Sequence, residues 1–282
     1  MELPGLSGRF FFGAIRASAL APPLRLMYGK PMEEFPADSS LVGKVRPSPN
    51  HDARTDGPID ILLLHYTGMA SAGPAIARLC DPAAKVSSHY VIDDTGGILQ
   101  LVPETRRAWH AGVSSWAGAT DINSRSIGIE VANPGHDLGY PGFPKIQIDS
   151  AIALCADILA RHGIRSDRVL AHSDVAPLRK SDPGEKFPWQ QLHDAGIGAW
   201  VPPAAIGGGA VCRPGDSGAE VADLQAALKS YGYGIETSGS YDVQTAAVVT
   251  AFQRHFRPAK VDGLADRSTI ETLQALIAGR AA

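Results

Sequence analysis

"IDILLLHYT", residues 59–67, is an apolar run bounded by Gly57-Pro58 on one side and Gly68 on the other. A run this short, closed by turn formers, reads as a buried β-strand with His65 at its end. Working outward, "SSHYVIDDTGGILQLV" (87–102) gives two β-rich runs around Asp94-Thr95-Gly96-Gly97, a hairpin signal. "SIGIEVAN" (126–133) is a further strand, closed by Asn133-Pro134-Gly135. From Gln147 to Arg161, Ile148, Ile152, Cys155 and Ile158 recur at three- and four-residue spacings, the stripe of an amphipathic helix packed on a sheet. "RVLAHSD" (168–174) returns to strand and brings His172 to a strand end as well. Strands mixed with helices predict an α/β region, a mixed central sheet flanked by helices.

The rest of the 282 residues divides around that region. With 44% apolar and 20% charged side chains the chain can bury a good core and predicts more than one domain. Residues 1–50 are rich in Pro, Gly and charge without period, an extended or disordered leader. Its first stretch, "MELPGLSGRFFFGAIRASALAPPLRL" (1–26), has the apolar run of a secretory signal but the wrong charge order, with Met27 and Met32 as alternative starts. Residues 51–200 hold the α/β region. "VPPAAIGGGAVCRPGD" has little to pack, so 201–214 is a linker. Residues 215–282 then read as a small all-α domain of three helices. Ser217 with Glu220, and Ser268 with Glu271, fit capping boxes, and Val248, Phe252 and Phe256 fall at helical spacing between them.

Charge and cysteine content narrow the partners. A net charge of −3 supplies no bulk attraction to nucleic acid or anionic lipid. No apolar run approaches the roughly 20 residues of a membrane span. Cys80, Cys155 and Cys212 are odd in number and fit neither a disulfide framework nor a zinc knuckle. Together with the poor leader they favour the cytoplasm over a periplasmic or wall-associated location. Oligomeric state is not legible.

The residues that carry chemistry lie at strand ends and in "AHSDVAPLRKSDPGEKFPW" (171–189). A catalytic zinc site needs three N, S or O ligands and a fourth position left to water. His65, His172 and Asp182 would supply two imidazoles and a carboxylate, the alternative being two histidines that end strands by coincidence. Glu130 interrupts an apolar strand, as a proton carrier beside such a site or as one half of an ion pair with an arginine. Lys180 is either a cation for a developing oxyanion or a solvated charge. Asp174 reads as a cap on the turn before Pro177, and Arg179 and Glu185 as solvated loop charges. Phe187 and Trp189 either pin the loop to the core or touch the substrate.

The blocks "LLLHYTG", "SSHYVIDDTGGILQLVPE", "RAWHAGVSSW", "INSRSIGIEVANPG" and "AHSDVAPLRKSDPGEKFPW" together resemble the zinc-dependent N-acetylmuramoyl-L-alanine amidases of the type 2 class. That class shares its fold with phage lysozyme-amidases and peptidoglycan recognition proteins. The resemblance spans about 58–200. It implies zinc ligands at His65, His172 and Asp182, a catalytic glutamate at Glu130, a catalytic lysine at Lys180, and a substrate cleft lined by His89, Tyr90, Trp109, His110 and Asn123. The segments "GDSGAEVADLQAALKSYGY", "GSYDVQTAAVVTAFQ" and "VDGLADRSTIETL" resemble the three-helix peptidoglycan-binding module. The implied partner is peptidoglycan or its muropeptide fragments. The implied reaction cuts the amide between the muramoyl lactyl group and L-alanine, with wall-fragment recycling, lysis of intact wall and non-catalytic binding as the possible settings.

Overall fold

The computed structural model describes Met1, residues 34–55 and residues 57–280. The signal-like stretch and both alternative starts fall outside these residues, Met1 apart. Along the first part of the described chain the strands are β1 (Lys44–Val45), β2 (His51–Ala53), β3 (Ile61–Tyr66), β4 (Tyr90–Ile92), β5 (Ile98–Gln100), β6 (Arg106–Ala108), β7 (Ser126–Val131) and β8 (Val169–Ala171). The helices among them are α1 (Ala72–Leu79), α2 (Ile122–Arg125), α3 (Lys145–His162), α4 (His172–Val175) and α5 (Trp189–Asp194). Then come β9 (Ala210–Cys212), α6 (Ala219–Tyr231), α7 (Val243–Phe256), β10 (Ala265–Asp266) and α8 (Arg267–Arg280).

Six strands form the central sheet in the order β1-β5-β4-β7-β3-β8. The β4–β5 hairpin is antiparallel, as the Asp94–Gly97 turn predicts, while β4, β7, β3 and β8 run parallel. Successive side chains of a strand point to opposite faces, so each strand feeds two cores. Leu62, Leu64, Ile127, Ile129 and Val169 pack with Ile148, Leu154, Cys155 and Ile158 of α3. That helix ends where the Gly163 backbone turns left-handed (φ +64°) and its N–H reaches Leu159 O. Ile61, Leu63 and Leu170 face the other way, into a core shared with Leu228, Phe252 and Leu276 of α6, α7 and α8.

The apolar core of the helical segment is thus continuous with residues from one face of the α/β sheet. The expected linker is tied down too: Ala204 donates to Thr272 Oγ1 and accepts from Ser268 Oγ, and its end pairs as β9 with β10. Ser268 therefore bonds the linker instead of capping α8, whose first turn is capped by Asp266 accepting from the Thr269 N–H. Gly218, not Ser217, precedes α6, without a side-chain cap. At the other end, β1 enters the central sheet from the stretch that reads in sequence as leader, where Ser48 and Asn50 are buried as well.

Candidate active site

Strand register builds the site. β3 and β7 are parallel neighbours with His65 opposite Glu130, and β3 and β8 are parallel neighbours with Leu64 opposite Ala171, one residue short of His172. Glu130, His65 and His172 therefore stand in a row at the carboxyl ends of three adjacent parallel strands, the usual place for a site in such a sheet. The 172–189 loop returns Asp182 to this row, held by a bond from the Ser173 N–H to Asp182 O. Phe187 and Trp189 are buried in the α3-side core and settle one alternative: they pin the loop. Gly184 (φ +83°) lies where a side chain would strike the Tyr140 hydroxyl, which itself bonds Pro183 O.

His65 Nδ1, His172 Nδ1 and Asp182 Oδ2 approach one another to 2.9, 3.1 and 3.0 Å. The hydrogen-bond network assigns the tautomers. His172 Nε2 faces Ala111 O at 3.1 Å, so it carries the proton and leaves Nδ1 bare. Ser126 Oγ donates to Ile122 O and so accepts from His110 Nε2, which leaves His110 Nδ1 as the acceptor for the proton on His65 Nε2, 3.0 Å away. His65 Nδ1 is then bare as well. Two lone pairs and a carboxylate oxygen converge on one point, an arrangement that a divalent cation relieves, so these residues fit a metal.

Electrostatics favour a neutral imidazole at His65. Burial pushes His65 down to about 4, with His172 adding to the effect. Glu130 goes the other way: burial first and Asp182 second push it well above the ordinary carboxylate value, against the pull of Lys180. Its Oε2 is enclosed without a hydrogen-bond partner, so the arginine ion pair does not engage that oxygen.

A cleft of about 250 Å³ opens over the row, lined among others by Trp109, His110, Glu130, His172, Lys180 and Asp182. Trp109 keeps a buried Nε1 with no partner there. Three other residues expected in the cleft act elsewhere. His89 is fully buried, accepting from Gly128 N–H and facing Arg106 O. Tyr90 is fully buried and donates to Glu104. Asn123 accepts from the His110 and Ala111 N–H groups, so it shapes the loop that carries the second-layer histidine. His110 lines the cleft and also orients His65.

Sequence reading missed several contributors. Tyr66, Met69, Arg78 and Ser87 also line the cleft. Tyr66 follows His65 directly, a usable signal; Arg78 sits in the last turn of α1, where nothing in the sequence marks it. Arg179 is no idle charge, since it donates to Ala111 O and Val113 O. Glu185 pairs with His136, whose other ring nitrogen meets Tyr66. Asp174 does not serve the Pro177 turn. It is fully buried and accepts from Ala171 N–H, Tyr233 OH and His255 Nδ1.

Fold, His65–His172–Asp182 cluster and cleft agree with an N-acetylmuramoyl-L-alanine amidase, and the chain belongs to that family. The family described as N-acetylmuramoyl-L-alanine amidase matches residues 55–185, and the one described as "Putative peptidoglycan binding domain" matches 217–273. Among relatives, N-acetylmuramoyl-L-alanine amidase AmiD of Escherichia coli (strain K12) is 39% identical over 231 residues, 78% of this chain and 82% of that protein. 1,6-Anhydro-N-acetylmuramyl-L-alanine amidase AmpD of Enterobacter cloacae is 34% identical over 165 residues, 52% of this chain and 86% of that protein. A solved complex of E. coli AmiD with the substrate anhydro-N-acetylmuramic acid-L-Ala-D-γ-Glu-L-Lys has a TM-score of 0.67 at 38% identity, covering 81% of this chain and 92% of that one. No helix among the described residues is long and apolar enough to cross a membrane.

Proposed function

We propose that this amidase cleaves the bond between the muramoyl lactyl carbonyl and L-alanine in muropeptides, with His65, His172 and Asp182 holding a zinc ion. When bound there, zinc supplies a Lewis acid for the carbonyl and an acidified water at neutral pH. Glu130 removes the water's proton as it attacks, its raised carboxyl suiting a group that must accept a proton and then release it. The same carboxyl gives that proton to the departing L-alanine nitrogen. Lys180, on the cleft wall, donates to the developing oxyanion. Trp109 lines the cleft beside the substrate, and Arg78 presents a cation to the carboxylates of a stem peptide. Residues 51–200 do the cutting, 215–282 recognise the wall polymer, and 201–214 join them.

The observation that supports this reading most is the row of Glu130, His65 and His172 across three parallel strands, closed by Asp182. The test incubates purified protein, with and without a chelator, with intact sacculi and with soluble anhydro-muropeptides, and reads products by mass spectrometry. Release of a free peptide beginning with L-alanine, lost on chelation and restored by zinc, is the expected result. If neither substrate yields that peptide, the reading fails.

A further inference from the structure

We propose that the C-terminal helical module is also part of the catalytic machinery, with Asp174 acting as the positioning residue through which it holds the metal ligand His172. The inference rests on reading His172 as a ligand, and goes beyond any wall-binding role of the module.

His172 is the first residue of α4, a single turn of four residues between β8 and the loop. A turn this short has too few internal bonds to fix its own orientation. Asp174, two residues on, supplies what the turn lacks. Oδ2 accepts from the Ala171 N–H at 2.8 Å, tying the carboxylate to the backbone immediately before the ligand. Its remaining capacity is filled from the other module: the Tyr233 hydroxyl donates to Oδ1 at 2.8 Å, and His255 Nδ1 meets Oδ2 at 2.7 Å.

Both partners are themselves immobilised. His255 lies between the Trp189 ring at 3.7 Å and the Phe256 ring at 3.8 Å, near-parallel to each. Tyr233 packs edge-on against Trp116 at 4.9 Å, and the strand-like bridge between those two residues carries the contact into the backbone. Trp116 belongs to the same loop as Ala111, the acceptor that sets the His172 tautomer. The module therefore braces His172 from two sides, through α4 and through the loop. A carboxylate fully removed from water and held by three donors is rigid, and groups one layer behind a metal ligand govern its affinity.

The test uses the full-length protein and three substitutions: Tyr233→Phe, His255→Phe, which keeps a stacked ring but loses the donor, and His255→Asn, which loses the ring but places an N–H near the lost Nδ1. Zinc dissociation constants are measured by competition with a chromophoric chelator, and kcat and KM on a soluble muropeptide. Combining Tyr233→Phe with His255→Phe weakens zinc binding roughly 10–100-fold and lowers kcat more than it raises KM, while His255→Asn stays close to the unmodified protein. Unchanged zinc affinity in the double variant overturns the inference. So does a loss with His255→Asn while His255→Phe keeps its zinc affinity, since that pattern is ring packing alone. Zinc affinity is read without substrate, so a protein that binds zinc as expected but releases no L-alanine peptide refutes the amidase reading and leaves this one standing.

Discussion

Replacing Glu130 by Gln keeps the volume and removes the ionisable group, and it is expected to do two opposite things. As proton carrier, Glu130 is worth about 10²–10⁴ in turnover, which at 1.36 kcal/mol per tenfold is about 2.7–5.4 kcal/mol of barrier. Zinc affinity stays near that of the unmodified protein, because Glu130 is outside the ligand set. In the zinc-free protein the same change stabilises the fold. Burial and Asp182 raise the Glu130 carboxyl well above its ordinary value of 4.5, so the folded state binds this proton more tightly than the unfolded chain. The stability of the unmodified protein therefore falls as pH rises through 4.5 and beyond, while the glutamine variant carries no such penalty. Above that pH an enclosed, unpartnered carboxylate oxygen costs at least about 1 kcal/mol. A fold of this size answers with a rise in Tm of at least about 2 °C. Melts of chelator-treated protein at pH 7.5 and pH 4, beside turnover of a soluble muropeptide, read both effects. Turnover within fivefold of the unmodified enzyme refutes the catalytic assignment, and a lower Tm for the variant at pH 7.5 refutes the burial argument.

His110→Phe keeps a ring over Gly128, where no Cβ fits, but removes the acceptor for His65 Nε2. Zinc should bind roughly 10–100-fold more weakly by chelator competition, with the circular dichroism spectrum retained. Glu104→Gln tests a buried cluster on the α3 side. There burial opposes ionisation, but hydrogen bonds from Arg161, His162 and Tyr90 hold the Glu104 carboxyl down to about 2. Its contribution is present above about pH 4.5 and lost as pH falls toward 2, so the variant should be less stable by about 2–3 kcal/mol at pH 7 in urea melts, the gap closing in acid.

What was legible in the sequence follows physical range. "IDILLLHYT" announces β3 because both faces of a buried strand are apolar, and a histidine at its end stands out against that run. Asp182 is a candidate by residue type and firm only through resemblance, since no periodicity says that a loop will carry a carboxylate back to the same point. β1 is silent in sequence: two residues, Lys44 and Val45, paired through backbone bonds that side chains do not reveal. The capping box at Ser217 misleads because α6 starts after Gly218 with no side-chain cap, and the one at Ser268 because another local pattern wins. Asp242 with Thr245, and Asp266 with Thr269, repeat an Asp-x-x-Thr arrangement in which the carboxylate takes the third N–H and the threonine hydroxyl as well. Asp174 looks like a turn former because its partners lie 59 and 81 residues downstream.

The joint core of Leu63, Trp116, Tyr231 and Phe252 has a consequence for reach. A grip joined to a blade by a slack tether lets the blade sweep a volume set by tether length. Here the helices and the sheet share one core, so packing sets the span between α6–α8 and the Glu130 row. Under the role proposed for residues 215–282, a strand of wall held by the helices would be measured as by a caliper of one setting, with the bond at that offset meeting the cutting edge.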